Sequence, residues 1–400
     1  MIFSYSNDWV FQFAGSQFPA GNIFLTFSGP ASVYVDYGDG NGATFASGTV
    51  NRIFFGADDT YNTSANYPRY LYSTGNASTI RTARIRINQP ELLVSLQISN
   101  ALNRSQPFPV KFSRLINLQT LNLSGMLLTD IDTSLLQLRN LNYLSFRNAF
   151  ASDTRYHAAI PLDVIAGKKY TTFGWQPGLG GKSFASSNLD KLAVELGPTL
   201  QTLVLDSNTL RDTNGADGPL PANFSSFGVL SYLALNNNQY TTFPAIVNSI
   251  VSLTNLEFGS NPLTTWGDLS GLVNLSAWNI SSVSASSLPP AVPVYLSNFT
   301  KLKVFQFTAC FGNSTGLEAF IASFYNFLIA RASITGTASL PFRGMSITCG
   351  SETTGFVVSG IEQPPAGYVQ GAGNGTPANC REMIYVMKNQ YGHNWNYRMV

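Results

Sequence analysis

Leucine recurs along this chain at a spacing that few folds can use. The pattern Leu-x-x-Leu-x-Leu-x-x-Asn-x-Leu is complete or nearly so three times. Its copies are Leu200, Leu203, Leu205, Asn208 and Leu210; Leu230, Leu233, Leu235, Asn238 and Tyr240; and Leu253, Leu256, Phe258, Asn261 and Leu263. Leu118, Leu121, Leu123 and Leu128 make a fourth copy, with Met126 in the asparagine position. Weaker copies start at Leu93, Leu141, Tyr170, Leu272 and Leu302. Apolar residues three and then two apart suit a short strand with one buried face. Such a strand cannot bury that face alone, so each copy must stack on the next.

This series resembles the leucine-rich repeat, whose period is about 20–29 residues. The nine starts are separated by 25, 23, 29, 30, 30, 23, 19 and 30 residues. The resemblance implies an α/β-type solenoid over residues 89–314, with one curved parallel sheet and an irregular convex side. It also implies a ladder of Asn208, Asn238 and Asn261 inside the turns, each side-chain amide satisfying backbone groups. A long repetitive surface of this kind argues for binding before catalysis.

Residues 1–88 read as β-structure. Trp9 to Phe13, Asn22 to Phe27, Ser32 to Asp36, Val50 to Phe55 and Thr79 to Ile87 alternate or run apolar between Gly and Pro. Val35-Asp36-Tyr37-Gly38-Asp39-Gly40, followed by Tyr67-Pro68-Arg69-Tyr70-Leu71 and the strand to Ile87, resembles PKD-like, immunoglobulin-type modules. That resemblance implies a separate antiparallel β-sandwich joined to the repeats near residues 88–90. Asp39 and Gly40 suit a tight turn, and Asp36 with Asp39 supplies too few ligands for calcium.

Residues 315–400 form a third region. Thr315-Gly316-Leu317-Glu318 reads as a capping box ahead of Leu317, Phe320, Ile321, Phe324, Phe327 and Leu328 at helical spacing. This predicts a helix sealing the open end of the last repeat. Met383 to Met387 reads as a strand in a tail that packs on the helix or attaches the protein to an assembly.

Charged residues are only 11% of the chain and the net charge is +2. No basic run exists to hold nucleic acid or an anionic bilayer. Residues 1–8 carry no basic segment before an apolar core, which predicts no Sec signal peptide at this end. The apolar stretch from Ala319 to Ala330 is too short to span a membrane, so no membrane insertion is expected. Cys310, Cys349 and Cys380 are far apart, with no paired spacing for zinc. A Cys349–Cys380 bridge is the alternative to reduced thiols. His157 and His393 stand in different regions, and no nucleophile elbow or phosphate loop lies in a fitting context. No catalytic residue, metal or cofactor is expected.

Ligand contact is expected on outward strand positions, at Tyr143, Tyr232, Asn236, Asn255, Glu257 and Trp278, where aromatics stand among amides. A PKD-like module before irregular repeats resembles surface proteins of Bacteroidetes-type bacteria and virion proteins of their phages. That resemblance implies a non-enzymatic phage structural or adhesion protein, a head or tail fibre component located in the virion. Its partners would be a host surface glycan or protein, other virion proteins, or copies of itself within an assembly. The alternatives are a bacterial cell-surface adhesin and a polysaccharide-processing enzyme.

Overall fold

An alternating strand hides its apolar face only when neighbours on both sides continue it. The computed structural model describes residues 8–14, 21–38, 40–46, 52–56, 69–71, 80–99, 106–108, 110–150, 162–176, 186–211, 219–280, 293–306, 314–335, 343–349, 362–369, 375–390 and 394–399. Asp39, His157, Cys310, His393 and the side chain of Gln306 lie outside the described residues. The chain divides into two units, Met1–Phe184 and Ala185–Val400.

The first unit begins with β1 (Trp9–Ala14), β2 (Gly21–Phe27), β3 (Ser32–Asp36), β4 (Gly42–Ala46), β5 (Arg52–Gly56), β6 (Arg69–Leu71) and β7 (Ile80–Ile87). β1, β7, β3 and β4 pair in that order as an antiparallel sheet. Its inner face buries Trp9, Phe11, Val33, Val35, Ala83 and Ile85. The other strands do not stand apart as the expected separate domain. β2 pairs antiparallel with β8 (Leu93–Ser99), the first repeat strand, placing Ile23 opposite Ile98 and Leu25 opposite Leu96. The physical reason is that the first strand of an open parallel stack exposes a row of unpaired backbone groups. β2 takes that edge, so the residue 88–90 boundary marks no break in the sheet.

A second tie comes from β9 (Gln106–Pro107). The Gln106 side chain accepts from the Gln12 backbone N–H at 3.2 Å and donates to the Gln12 carbonyl at 3.1 Å. Beyond it lie β10 (Thr120–Ser124), β11 (Leu128–Asp130), β12 (Tyr143–Arg147), the short α1 (Leu162–Ile165) and β13 (Thr172–Gln176). β8, β10, β12 and β13 are parallel neighbours, with Leu96, Leu121, Leu144 and Phe173 in register and buried.

The turn after β3 is held by Asp36, whose Oδ1 accepts from the Gly38 N–H at 2.9 Å. Gly38 has φ 76°, and a Cβ there would stand 2.3 Å from the Thr82 carbonyl oxygen. Gly38→Ala is expected to cost about 3 kcal/mol, from left-handed backbone strain plus a contact with main chain that has little room to yield. Chemical denaturation of the variant beside the parent checks it.

The second unit contains α2 (Ser186–Leu196) and the parallel strands β14 (Thr202–Val204), β15 (Tyr232–Ala234), β16 (Asn255–Glu257), β17 (Ala277–Asn279) and β18 (Val304–Gln306). Leu203, Leu233, Leu256, Trp278 and Phe305 lie in one buried row. Leu205, Leu235 and Phe258 form the next, as the repeat pattern requires. β14, β15 and β16 each exit through a residue in left-handed conformation: Ser207 at φ 60°, Asn237 at 53° and Ser260 at 56°. The buried asparagine that follows satisfies the backbone this turn leaves open. Asn261 Nδ2 donates to the carbonyls of Leu235 and Phe258, both at 2.9 Å, and its Oδ1 accepts from the Tyr240 N–H at 3.3 Å. In the first unit Met126 and Ala149 fill the same place, buried and apolar.

Behind the strands run short 3-10 turns, among them Ala222–Ser226, Ala245–Ser249 and Val294–Asn298, each preceded by proline (Pro221, Pro244, Pro293). Their inward residues repeat six and three positions before the strand-leading residue: Phe224 and Phe227, Val247 and Ile250, Leu296 and Phe299, all buried. This second ladder corrects the repeat expected to start at Leu272. Leu256 pairs with Trp278, so the strand is led by Leu275, and Leu272 belongs to the turn ladder. Trp278 therefore points inward and is 0% exposed, not outward as expected.

Beyond β18 come α3 (Ser314–Thr335), β19 (Arg343–Cys349), α4 (Cys380–Asn389) and β20 (Asn394–Met399), with β19 and β20 paired in parallel. The Phe324 ring of α3 stacks on Phe305 of β18 at 5.9 Å. Helix α3 starts at Ser314, so Thr315 sits inside the helix and not at its cap. The strand expected over Met383 to Met387 is instead helix α4. Asn379 caps it by accepting from the Glu382 N–H at 3.1 Å, and Glu382 Oε2 reaches back to the Ala378 N–H at 2.7 Å. That reciprocal cap outweighs the β-propensity of Ile384, Tyr385 and Val386. Cys380 is a free thiol, its Sγ 3.3 Å from the Glu318 carbonyl of α3, so no bridge joins it to Cys349. Burial and the nearby Glu318 push its pKa up to about 11. Among the described residues no helix is long and apolar enough to cross a membrane.

Candidate interaction surface

Residues two and four positions after each strand-leading residue project from the outward face of the sheet, because alternate side chains on a strand leave opposite faces. In the second unit one such row is Thr202, Tyr232, Asn255, Ala277 and Val304. The next is Val204, Ala234, Glu257, Asn279 and Gln306. Tyr232, Asn255 and Glu257 are thus brought together on adjacent strands, half-buried. Ala277 and Asn279 take the place expected of Trp278, whose ring packs instead among Phe243 at 5.5 Å, Trp266 at 6.0 Å and Phe305 at 5.1 Å. The spacing of 19 residues from Leu253 to Leu272, below the family period, was the signal of a slipped frame.

Not every polar group on this face is available. Asn236 Oδ1 accepts from the Gly259 N–H at 2.6 Å, and the Asn236 N–H donates to Asp206 Oδ1 at 2.7 Å. Asn236 is therefore a stitch between repeats more than a contact residue. Asn255 Oδ1 lies 3.0 Å from the Thr254 hydroxyl. Asn279 Nδ2 donates to Glu257 Oε2 at 2.6 Å, which fixes the carboxylate in the plane of the row.

The electrostatics centre on Tyr232. Burial first, and then the negative charges of Glu257 and Asp206, together raise its phenol pKa to about 12. The Glu257 carboxyl is also raised, first by burial and further by Asp206, with the Asn279 hydrogen bond opposing. Both shifts mean that the site holds negative charge against partial desolvation. Ala234, between Val204 and Glu257 in its row, is only 1% exposed.

Tyr143 belongs to the first unit, where it lies half-buried in register with Ser95, Thr120 and Thr172. The same face continues onto β2, where Phe24 stands opposite Gln97 and is 39% exposed. Phe24 was missed because its place on this face depends on the non-local pairing of β2 with β8. Its parity, between inward Ile23 and Leu25, is visible in the sequence.

Parallel strands in a common register, the asparagine ladder and the recurring turns define a leucine-rich-repeat fold. No family model and no curated protein matches the chain. Among solved structures, it is similar to an internalin of Listeria monocytogenes at 15% identity and a TM-score of 0.39, over 65% of this chain and 76% of that one. Internalin C2 of the same organism matches at 16% identity and a TM-score of 0.31, over 58% and 78% of the two chains. A leucine-rich-repeat protein of Leptospira interrogans matches at 17% identity and a TM-score of 0.29, over 49% and 68%.

Proposed function

We propose that this chain is a non-enzymatic binding scaffold that engages a protein partner through the outward strand face of its second unit. The observation that carries this reading is the arrangement around Tyr232. An aromatic ring stands in a row of short, mostly uncharged side chains, on strands held in fixed register by buried ladders. A rigid aromatic anchor loses little entropy on binding, and a surround of short side chains excludes water without steric obstruction. The compartment that goes with this reading is extracellular or cell-surface. The resemblance to virion proteins adds a narrower form, attachment from within a phage particle to a host surface glycan or protein. Mass spectrometry of purified virions against washed cell envelopes separates the two.

The binding face is tested with random peptides displayed against the immobilised full chain. Ala277→Trp puts a bulky neutral group on the face, and Val194→Trp puts one on the exposed side of α2. Selected peptides are expected to bind Ala277→Trp at least about tenfold more weakly and Val194→Trp unchanged. Peptides insensitive to Ala277→Trp would reject this face.

A further inference from the structure

We propose that the strand face around Tyr232 is a seat for a cationic side chain, an arginine or lysine presented by the protein partner. The proposal rests on the binding-face reading above and names what the centre of that face selects. Three groups on neighbouring strands surround it: the Tyr232 ring on β15, Glu257 at the end of β16, and Asp206 just beyond β14, both carboxylates acting on the phenol.

Glu257 carries the argument. Its Oε2 is held at 2.6 Å by the Asn279 amide, a neutral partner that orients the carboxylate without cancelling its charge. Among the described residues no lysine or arginine pairs with Glu257. The remaining described outward positions of β14 to β18 are Thr, Val, Ala and Asn, so charge on these rows is of one sign. The Glu257 carboxyl is raised first by burial and further by the like charge of Asp206, with the Asn279 hydrogen bond opposing.

A neutral ligand would leave that repulsion in place and an anion would increase it. A guanidinium relieves it, because its plane lies against an aromatic face while its N–H groups reach carboxylate oxygens. This is charge complementarity set by repeat register, since it needs tyrosine, glutamate and aspartate at fixed places in three consecutive copies.

The test uses the full chain and two small probes, N-acetyl-arginine methylamide and its citrulline counterpart, which keeps the shape and loses the charge. Each is titrated at low salt while NMR follows the Tyr232 ring and selectively labelled glutamate carboxyls. The arginine probe is expected to give saturable shifts at Tyr232 and Glu257, weakened by added salt. The citrulline probe is expected to bind about tenfold more weakly. Glu257→Gln, which keeps the size of the side chain, is expected to lose the response to the arginine probe. Equal binding of both probes, no saturable shift, or an unchanged response in Glu257→Gln overturns the seat. If those results come with peptides still blocked by Ala277→Trp, the face stands and only its cation preference falls. Peptides insensitive to Ala277→Trp overturn the face and the seat with it.

Discussion

Replacing Asn238 with leucine is expected to lower stability by about 4 kcal/mol, although the two side chains are similar in volume. The cost comes from hydrogen bonds that leucine cannot make. Asn238 Nδ2 donates to the carbonyls of Leu205 at 3.0 Å, Leu235 at 2.9 Å and Asn236 at 3.2 Å. Its Oδ1 accepts from the backbone N–H of Asn208 at 2.9 Å and of Leu210 at 3.0 Å. Three of the groups left behind, the Leu205 carbonyl and the Asn208 and Leu210 N–H groups, belong to the preceding repeat and are buried, where water cannot replace the amide. Damage should therefore spread along the stack, since each repeat is stabilised mainly by its neighbours. Gln239→Ala, one residue on and exposed, is the control and should shift stability little. Urea unfolding curves of both variants decide it. A loss below about 1 kcal/mol for Asn238→Leu would mean that the ladder bonds are replaced by water or by a shifted turn.

The copies that carry asparagine were legible because asparagine at one fixed place has a chemical task that no apolar residue performs. Where only leucine spacing was available, the frame was ambiguous. Leu269, Leu272, Leu275 and Trp278 fall three apart and are all buried, so a Leu-x-x-Leu template fits at Leu272, while the true start at Leu275 meets Trp278 in the second leucine position. The turn ladder was written in the same letters as the strand ladder. The prolines Pro221, Pro244 and Pro293, nine residues ahead of Leu230, Leu253 and Leu302, distinguish the two ladders once both are known. Helix α4 shows a different failure, because the β-prone run Ile384, Tyr385 and Val386 masked the Asn379 and Glu382 cap that decides the element. Pairing of β2 with β8 was not legible at all, since nothing local in either strand names its partner. The site was half legible. Parity placed Tyr232, Asn255 and Glu257 outward, but the engagement of Asn236 with Gly259 and of Asp206 with the Asn236 N–H required register between copies.

Trp278→Ala and Tyr232→Ala should separate the two roles that one sequence pattern suggested for both rings. Trp278 is 0% exposed and touches Phe243, Trp266 and Phe305, with centroids 5.1 to 6.0 Å apart. Truncation removes a large buried ring and leaves a cavity that a repeat clamped on both sides cannot close, at a cost of about 4 kcal/mol. For a unit of this size the melting temperature should fall by roughly 10 °C. Phe305 should be disturbed with it, and through the stack of Phe305 on Phe324 so should helix α3. Tyr232 stands on the other face, where alanine leaves no enclosed cavity, so its melting temperature should fall by no more than about 3 °C. Its effect belongs to recognition: the selected peptides and the arginine probe should bind Tyr232→Ala about tenfold more weakly. Calorimetry and peptide binding on both variants give four numbers. A stable Trp278→Ala would contradict the inward register of β17, and undiminished binding by Tyr232→Ala would remove the ring from the proposed site.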